Sequence, residues 1–254
     1  MNTFTSNFTG KNLIELDSVA STNSFASELL QQEQPPEGTV IIGYNQSQGR
    51  GQQGAVWESE AWKNLTFSII YYPTFISPED QFLLNQAVSV GIVEFIRKKI
   101  ERKVFIKWPN DLFIGGKKIG GILIENVLRG DKILSSVIGI GLNINQIQFS
   151  KDVPNATSFK ILTGRDFDLK DCLNSVCSSI EKNYIVMKNS TERENLRAKY
   201  NQHLYGINRE ISYLEGNKER KGTIMGTSLN GKLLVKDAEN EIHIYSNKEM
   251  SFIF

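Results

Sequence analysis

Residues 104–125 read Val-Phe-Ile-Lys-Trp-Pro-Asn-Asp-Leu-Phe-Ile-Gly-Gly-Lys-Lys-Ile-Gly-Gly-Ile-Leu-Ile-Glu, and this stretch decides the fold. Its apolar and β-branched runs predict three short strands, at 104–108, 112–114 and 119–126. Gly115-Gly116 predicts a tight hairpin turn between the second strand and the third. Strands that follow one another so closely belong to an antiparallel or mixed sheet.

Polar side chains interrupt this stretch where the first strand ends. Lys107-Trp-Pro-Asn-Asp111 sets a cation, an amide and a carboxylate side by side. A surface ion pair of Lys107 with Asp111, beside an ordinary core tryptophan, would stabilise the fold very little. The set as a whole is followed at once by Lys118 and by the small residues Gly120-Gly121, which favours a ligand site against the sheet. Asp111 offers the kind of oxygen that Mg²⁺ accepts.

The rest of the first 205 residues alternates between strands and helices. Further strands are predicted at 13–16, 39–44, 64–72 and 133–142. Helices are predicted from a cap at Ser21 or Thr22, from Ser77-Pro-Glu-Asp80 to about Ile100, and over 168–188 and 191–204. This order predicts an α+β fold, in which helices pack on one face of a mixed or antiparallel sheet.

The last fifty residues have a different composition. Short strands are predicted at 210–214, 221–228, 232–236 and 241–245, with turns at 215–217 and 229–231. A series of hairpins of this size suggests a small β-barrel. We therefore expect two domains, at 1–205 and 206–254.

Charge and hydrophobicity restrict the class of protein. The chain has 254 residues, of which 40% are hydrophobic, with 29 basic and 28 acidic side chains. So balanced a charge gives no overall field to hold nucleic acid or an anionic membrane, and affinity must come from a local site. Residues 1–10 show no secretory signal, and no apolar run approaches the ~20 residues of a membrane helix. We expect a cytoplasmic protein with no nucleic-acid or membrane partner.

Cysteine and histidine are sparse. Cys172 and Cys177 fall on one predicted helix among apolar residues, which indicates buried thiols rather than a disulfide or a CxxC pair. His203 and His243 are lone residues without partners at metal-ligand spacing, so we expect surface or core histidines.

A glycine-rich loop, 46–54, is the second candidate site. Gly49 and Gly51 let backbone amides approach a ligand, and Arg50 between them can direct its guanidinium to a carboxylate or phosphate. The loop fits neither the P-loop pattern nor GxGxxG. An exposed hairpin tip is the alternative.

The third candidate is the strand end Gly139-Ile-Gly-Leu-Asn143. Alternating glycines leave one face of a strand without side chains, so that a ligand or another part of the protein can lie against its backbone. Asn143, at the end of the strand, could contact a ribose or a base. A bulged strand that ends in an Asn turn is the alternative.

Taken together and in this order, the three stretches resemble biotin protein ligases. The early Ser21-Thr22-Asn23 matches a motif of that family, and residues 206–254 suit its SH3-like barrel. The resemblance implies a biotin–[acetyl-CoA-carboxylase] ligase whose catalytic domain resembles class II aminoacyl-tRNA synthetases. It also implies a short form without an N-terminal DNA-binding domain, because only about ten residues precede the first strand, and hence no operator binding.

The resemblance implies a two-step reaction. Biotin and MgATP would give biotinyl-5′-AMP and pyrophosphate, and a lysine of a biotin carboxyl carrier protein or domain would then take the biotinyl group. The acceptor would belong to acetyl-CoA carboxylase or a related enzyme. The family includes monomers and homodimers, and the sequence leaves both open.

The resemblance also implies roles for individual residues. Lys118 and Arg50 would be catalytic. The biotin site would consist of Ser21, Thr22, Asn23, Gln46, Gly49, Arg50, Gly51, Gln52, Lys118, Gly121 and Leu123. ATP would be bound by Arg50, Trp57, Asn110, Asp111 and Asn143. Asp111 would also hold Mg²⁺.

The chain departs from the family pattern after Gly51. Many members have arginines there, as in GRGRxGR, whereas this chain has Gln52, Gln53 and Ala55. Biotinyl-AMP would then be retained mainly through Arg50 and Lys118, and less tightly.

Two other functions compete with biotin ligation. A lipoate or octanoate ligase or transferase resembles the same fold, but its ligand lacks the ureido ring and would leave Ser21, Thr22, Asn23 and Gln46 unpaired. A non-catalytic biotin- or nucleotide-binding regulator should lose Arg50 or Lys118, and this chain keeps both.

Overall fold

A computed structural model describes residues 5–253, without the side chain of Gln53. Residues 1–4 and 254, at the ends of the two expected domains, lie outside the described residues. The strands of the first half are β1 (Leu13–Leu16), β2 (Thr39–Gly43), β3 (Leu65–Tyr71), β4 (Phe105–Lys107), β5 (Asp111–Ile114), β6 (Lys117–Arg129) and β7 (Lys132–Leu142).

These seven strands form one sheet in the order β1-β2-β3-β7-β6-β5-β4. β1 and β2 are parallel, and every other neighbouring pair is antiparallel. The predicted mixed sheet is confirmed, with each predicted strand present to within about three residues. The long β6–β7 hairpin at its centre carries two of the three candidate sites.

Five α-helices accompany the strands in the described residues. They are α1 (Thr22–Gln32), α2 (Phe82–Ile100), α3 (Phe159–Thr163), α4 (Leu169–Lys188) and α5 (Arg193–Gln202). The Ser77 side chain accepts from the amide of Asp80 and begins a 3₁₀ turn before α2, as the sequence predicts. The capping prediction for α1 was wrong in its chemistry, because Ser21 stands at the N-cap position but its side chain makes no cap hydrogen bond.

Helices cover both faces of the sheet, so the prediction of one covered face was wrong. Val40 and Ile42 of β2 belong to the large core that includes α2 and α4. Ile41 points to the other face and packs with Ala26 of α1. Both faces of β2 and β3 are buried. The apolar run Val40-Ile41-Ile42 of β2 signals this double coverage, whereas β3 places the buried polar Thr66 and Ser68 on the face that α1 covers.

The two long helices cross at close range on the large-core side. A β-carbon at Gly91 of α2 would lie 2.7 Å from the Ile180 Cα and 2.9 Å from the Ser179 carbonyl oxygen of α4. The helices can approach this closely only because residue 91 has no side chain. Cys172 and Cys177 lie buried on α4 as free thiols, as predicted, and burial raises the pKa of Cys172 to about 12.

Residues 210–252, near the C-terminal end of the chain, form an antiparallel sheet. Its strands are β8 (Glu210–Glu215), β9 (Lys218–Thr227), β10 (Leu233–Lys236), β11 (Ile242–Tyr245) and β12 (Met250–Phe252). They lie in the order β11-β10-β9-β8-β12. The four predicted strands are present and the arrangement is barrel-like. β12 is three residues long and was not predicted.

The second sheet is anchored on the first half by polar contacts. The Trp108 indole is buried, and its Nε1 donates to the Gly231 carbonyl at 2.8 Å. Thr227 Oγ1 donates to Asn201 of α5 at 3.2 Å. The division of the chain into domains at 205/206 stays a prediction. In residues 5–253, no helix combines the length and the apolar character needed to cross a membrane.

The start of the described chain is held by one buried carboxylate. Glu181 of α4 accepts hydrogen bonds from the backbone amides of Asn7, Phe8 and Thr9, at 2.6, 2.9 and 2.7 Å. Burial alone would raise the pKa of Glu181, but these amides hold it below its ordinary value of 4.5. The segment is therefore attached to α4 through a group that must stay ionised.

Glu181→Gln should lower the free energy of unfolding at pH 7 by about 1–3 kcal/mol, because charge-assisted hydrogen bonds become neutral ones. Since the folded pKa is lowered, the stabilisation is complete above pH 4.5 and is lost as pH falls through the lowered pKa. Urea unfolding from pH 7 to pH 3.5 should show the difference between wild type and variant shrinking below pH 4.5. The exposed Glu33→Gln is the control, and a pH-independent difference for Glu181→Gln would contradict this assignment.

Candidate functional site

Two adjoining cavities lie on the face of the large sheet that α1 covers. The first has a volume of about 180 Å³ and the second about 250 Å³. Val56, Trp57, Asp111 and Lys118 line both cavities and stand between them. The three stretches that the sequence singled out therefore meet at one place.

Most of the predicted biotin residues line the first cavity. They are Ser21, Thr22, Asn23, Gln46, Arg50, Gly51, Gln52, Lys118, Gly121 and Leu123. Trp57, Asn110 and Asp111, predicted for ATP, line it as well. Gly49 lies on the outer side of the loop, beside neither cavity, where a β-carbon would collide with the Trp57 carbonyl oxygen. Asn143 lines the second cavity only.

The polar end of the first cavity is a buried hydrogen-bond network. The Thr22 amide donates to Gln46 Oε1 at 2.8 Å. Ser68 Oγ of β3 lies 2.8 Å from Thr22 Oγ1 and 2.6 Å from Asn23 Oδ1, and its one proton can serve only one of them at a time. Ser68 was not identified from the sequence, although it lies on the β3 row that faces α1.

Asn23 has its orientation fixed by this network. Its Nδ2 donates to Glu125 Oε2 at 2.8 Å and to the Leu123 carbonyl at 3.3 Å, while Oδ1 accepts from Ser68. Both amide protons are thus used within the protein. A ligand can reach only the second lone pair of Oδ1, so Asn23 can accept from a ligand but not donate to it.

The glycines of β7 make room for protein side chains. A β-carbon at Gly139 would collide with the Asn23 carboxamide, and one at Gly141 would collide with the Trp57 ring. The row Ser68–Gly139–Leu123 lies beneath Asn23, and Gly141 pairs with Gly121 beneath Trp57. The sequence predicted that something lies on this strand, and in the structure Asn23 and Trp57 lie there.

Lys118 stands where the two cavities meet. Its Nζ is 2.7 Å from Asp111 Oδ1 and 5.7 Å from the centre of a Trp57 ring. Its backbone is fixed on both sides, because its amide donates to the Asn155 carbonyl at 2.6 Å and its carbonyl accepts from Thr157 at 2.8 Å. Asp111 therefore holds the ammonium group of Lys118 where the two cavities meet.

Lys107 lines the second cavity and not the first. Burial lowers the pKa of Lys107, and the positive charge of Lys118 lowers it further. The carboxylate of Asp111 opposes this shift. Its Nζ lies 5.2 Å from the ring centre of Phe113 and 5.7 Å from that of Phe252 in the second sheet. Lys107 thus contributes positive charge to the second cavity beside that of Lys118.

Several buried polar atoms border the second cavity. Asn143 Nδ2 donates to the Thr157 carbonyl at 3.0 Å. Asn143 Oδ1 and Trp57 Nε1, in residues that line this cavity, have no hydrogen-bond partner among the described residues, and neither does Thr157 Oγ1, whose residue does not line it. Buried polar atoms normally have partners, so this set fits a ligand with its own donors and acceptors.

Asn110 has a mainly structural contact. Its Nδ2 donates to the Ile122 carbonyl at 2.7 Å, and the Ile122 amide donates to the Asn110 carbonyl at 3.0 Å. These bonds fasten the turn after Trp108-Pro109 to β6. The carboxamide oxygen is the part of Asn110 that a ligand can reach.

Arg50 is engaged by a residue that the sequence analysis missed. Its two terminal nitrogens lie 2.6 and 3.4 Å from the two carboxylate oxygens of Glu125. Glu125 lies on β6 two and four residues after Leu123 and Gly121, which were selected. Alternate residues of a strand share one face, so Gly121, Leu123 and Glu125 face the same side. This alternation could have identified Glu125 from the sequence.

The loop also reaches the second sheet. Gln52 Oε1 accepts from Asn247 Nδ2 at 3.0 Å, which joins the loop to the turn before β12. Gln52 occupies one of the positions at which the chain lacks the arginines of the family pattern.

The expectation of lone histidines was wrong for His243. Its Nε2 lies 2.6 Å from Asp237 Oδ2, and with Glu241 these residues offer three ligand atoms within 4.8 Å of one another. The group lies on the β10–β11 hairpin, whose residues line neither cavity.

Comparison with known proteins gives one consistent result. A sequence profile of the biotin/lipoate A/B protein ligase family matches residues 15–143. The bifunctional ligase/repressor BirA of Bacillus spizizenii is 31% identical over 244 residues, which cover 93% of this chain and 73% of that protein. The biotin–[acetyl-CoA-carboxylase] ligase of Mycobacterium tuberculosis is 29% identical, over 57% of this chain and 54% of that protein.

The fold has close structural relatives as well. A biotin protein ligase from Aquifex aeolicus, solved in complex with biotin and ATP, superposes with a TM-score of 0.79 at 29% identity. The superposition covers 96% of this chain and 99% of that one. The similarity therefore includes both sheets.

Gly141→Ala should displace the Trp57 indole, because the added β-carbon would overlap its ring. The measurement uses a Trp62→Phe parent, in which Trp57 and the buried Trp108 are the remaining tryptophans. Acrylamide should quench the tryptophan fluorescence of Gly141→Ala in this background more strongly than that of the parent. Ser135→Ala, on the same strand six residues away, should leave quenching unchanged. Equal quenching of Gly141→Ala and its parent would contradict the packing of Trp57 on β7.

Proposed function

This chain belongs to the biotin/lipoate A/B protein ligase family, and we propose that it attaches biotin to a lysine of a carrier protein at the expense of ATP. The arrangement of Lys118, Asp111 and Trp57 between two adjoining cavities carries this proposal. One cavity takes the acid and the other takes the nucleotide, and Lys118 stands where the two must react.

The first cavity would take biotin with its ureido ring at the polar end. That ring offers two N–H donors and one carbonyl acceptor, and Ser21, Thr22 and Gln46 offer hydroxyl and carboxamide groups to match them. Asn23 can accept from a ring N–H through Oδ1. Gly121 and Leu123 would border the tail, whose carboxylate then lies near Lys118.

The second cavity would take ATP. Asn143 Oδ1 and Trp57 Nε1 would serve the adenosine part, and Lys107 and Lys118 lie on the side where phosphates would be. A carboxylate oxygen of biotin attacks the α-phosphorus, a C–O–P bond forms, and the bond to pyrophosphate breaks with its electrons on the leaving oxygen. Lys118 and Arg50 stabilise the charge that develops on the oxygens.

In the second step, the neutral amine of the acceptor lysine attacks the acyl carbon of biotinyl-AMP. AMP leaves with the electrons of the C–O bond, an amide forms, and the amine loses a proton to solvent. No protein nucleophile is required, because holding two reactants in contact supplies much of the acceleration. The same two cations face the oxyanion.

Asp111 fits a role in holding Mg²⁺. It is a carboxylate that lines both cavities, its Oδ1 is paired with Lys118, and Oδ2 remains as an oxygen donor. A Mg²⁺ site with one protein carboxylate and oxygens from phosphates and water is of the usual kind. When bound, the ion would neutralise phosphate charge.

The carrier and the retention of the intermediate follow from the same proposal. The acceptor would be a biotin carboxyl carrier protein or domain of acetyl-CoA carboxylase or a related enzyme. With Gln52 in place of an arginine, biotinyl-AMP would be held by Arg50 and Lys118 and would leave faster than from relatives with more arginines. Monomer and homodimer are both compatible with the reaction.

The choice between biotin and lipoate is decided by one assay. With MgATP and a carrier domain, we expect acid-labile acyl-adenylate and label on the carrier from biotin, and little from lipoate. The reason is that lipoate offers no ureido N–H or carbonyl to the remaining hydrogen-bonding capacity of Thr22, Asn23 and Gln46 at the polar end of the first cavity. Label from lipoate alone would reject biotin as the substrate, and adenylate from neither acid would reject the ligase activity.

Lys118→Ala and Arg50→Ala should each slow adenylate formation by about 10²–10³-fold or more, because each removes a fixed cation from the reacting oxygens. The matched controls are Lys117→Ala, the exposed neighbour on β6, and Arg129→Ala at the far end of that strand. Single-turnover rates with saturating substrates separate chemistry from binding. Near-normal rates in both site variants would refute these roles.

A further inference from the structure

We propose that Glu125 is a positioning residue, which fastens Arg50 of the glycine-rich loop and Asn23 of α1 to β6 and so sets the shape of the biotin end of the first cavity. The inference rests on the proposed function for its kinetic consequences, but the tether itself can be tested without it.

The geometry joins three separate parts of the chain at one carboxylate. Glu125 Oε1 lies 2.6 Å from one Arg50 nitrogen, and Oε2 lies 3.4 Å from the other. Oε2 also accepts from Asn23 Nδ2 at 2.8 Å. Both partners line the first cavity, whereas Glu125 itself lies just outside it.

The loop needs such an anchor, because most of its backbone hydrogen bonds are internal. The Gly51 amide donates to Ala55 at 2.7 Å, and the Trp57 amide donates to Gly49 at 2.9 Å. Hydrogen bonds to the rest of the protein form at the start of the loop, where the amides of Ser47 and Gln48 donate to the carbonyls of residues 19 and 20. A further one forms at Gln52, whose side chain accepts from Asn247. The two-point ion pair of Arg50 with Glu125 links the middle of the loop to β6 of the sheet.

Asn23 needs the same carboxylate for a different reason. Its carboxamide can flip unless the network fixes it. Glu125 accepts hydrogen bonds and cannot donate them, so it holds Nδ2 on the β6 side and leaves Oδ1 toward Ser68 and the cavity. Loss of Glu125 would free the orientation of a group that is expected to accept from a ureido N–H.

The charge arrangement supports positioning rather than direct binding. A bare carboxylate beside a site for an acid and a phosphate would repel both ligands. Arg50 neutralises Glu125, and both oxygens of Glu125 already have partners within the protein. Glu125 therefore acts through Arg50 and Asn23.

Glu125→Ala should raise the KM for biotin about tenfold or more, the scale of one good charge-assisted contact. It should also lower kcat, but by less than Arg50→Ala does, because Arg50 keeps its charge and loses only its fixed position. The KM for ATP should stay within about twofold, since Lys118 and the second cavity are untouched. Glu125→Gln should recover part of the KM effect, because its oxygen can still accept from Arg50 and Asn23.

Glu94→Ala is a closely matched control. Glu94 of α2 pairs with Lys182 at 3.4 Å and accepts from Asn183 at 3.2 Å, and its side chain is 32% exposed against 34% for Glu125. It has the same kind of partners, but on the helical side of the molecule. Thermal unfolding of both alanine variants establishes that each is folded.

The tether has a readout that does not require ligase activity. Arg50 is a trypsin site within a glycine-rich loop, and its pairing with Glu125 should protect it. Limited trypsin digestion should cleave after Arg50 faster in Glu125→Ala than in wild type or Glu94→Ala. Equal cleavage rates would overturn the tether, whatever the substrate of the protein proves to be.

A double-mutant cycle completes the test. In an Arg50→Ala background, Glu125→Ala should raise the KM for biotin by a much smaller factor than it does in wild type. Full additivity of the two substitutions would overturn the positioning role. A wild type that uses no biotin would refute the proposed function and leave the proteolysis result to decide on Glu125.

Discussion

Asn23 and Trp57 lie directly on the backbone of the large sheet, and both cavities depend on this contact. Gly139 and Gly141 of β7 provide it, because a β-carbon at either position would occupy the space of one of these side chains. Asn23 then reaches Ser68 on one side and Leu123 on the other, and closes the polar end of the first cavity. Trp57 separates the first cavity from the second. Two missing side chains thus determine where the walls of the site stand.

Positive charge at the site is held in place by acidic residues of the neighbouring strands. Lys118 is paired with Asp111 of β5, and Arg50 with Glu125 of β6. Each pair fixes a cation before an anionic substrate arrives, so little reorganisation is needed when charge develops in the reaction. The arrangement has a cost, because a substrate anion must compete with a carboxylate for each cation.

The second sheet takes part in the site through its contacts with the first half. Trp108, at the turn that carries Asn110 and Asp111, donates to Gly231 in the second sheet. Lys107 lies over Phe252 of β12, and Gln52 of the loop accepts from Asn247. The position of the Asn110-Asp111 turn and that of the glycine-rich loop are therefore both linked to this sheet. The described residues of the second sheet line neither the first cavity nor the second, but the sheet can still influence both substrates through these links.

The sequence by itself determined the strand order along the chain, the hairpin at 115–116, the barrel-like C-terminal region and the residues that gather at Lys118. These follow from local signals, namely apolar period, turn glycines and motif order. It did not determine that α1 covers the second face of the sheet. It also did not determine that Asn23 donates both amide protons to protein acceptors, or that Glu125 pairs with Arg50. Those features depend on which residues from distant segments come into contact. The alternation of β-strand residues indicates that Glu125 faces the site, but it does not predict that Arg50 is its partner. Tertiary structure decided them, because a hydrogen bond or an ion pair requires two distant segments to bring their polar atoms within about 3 Å of each other, and no local pattern encodes that.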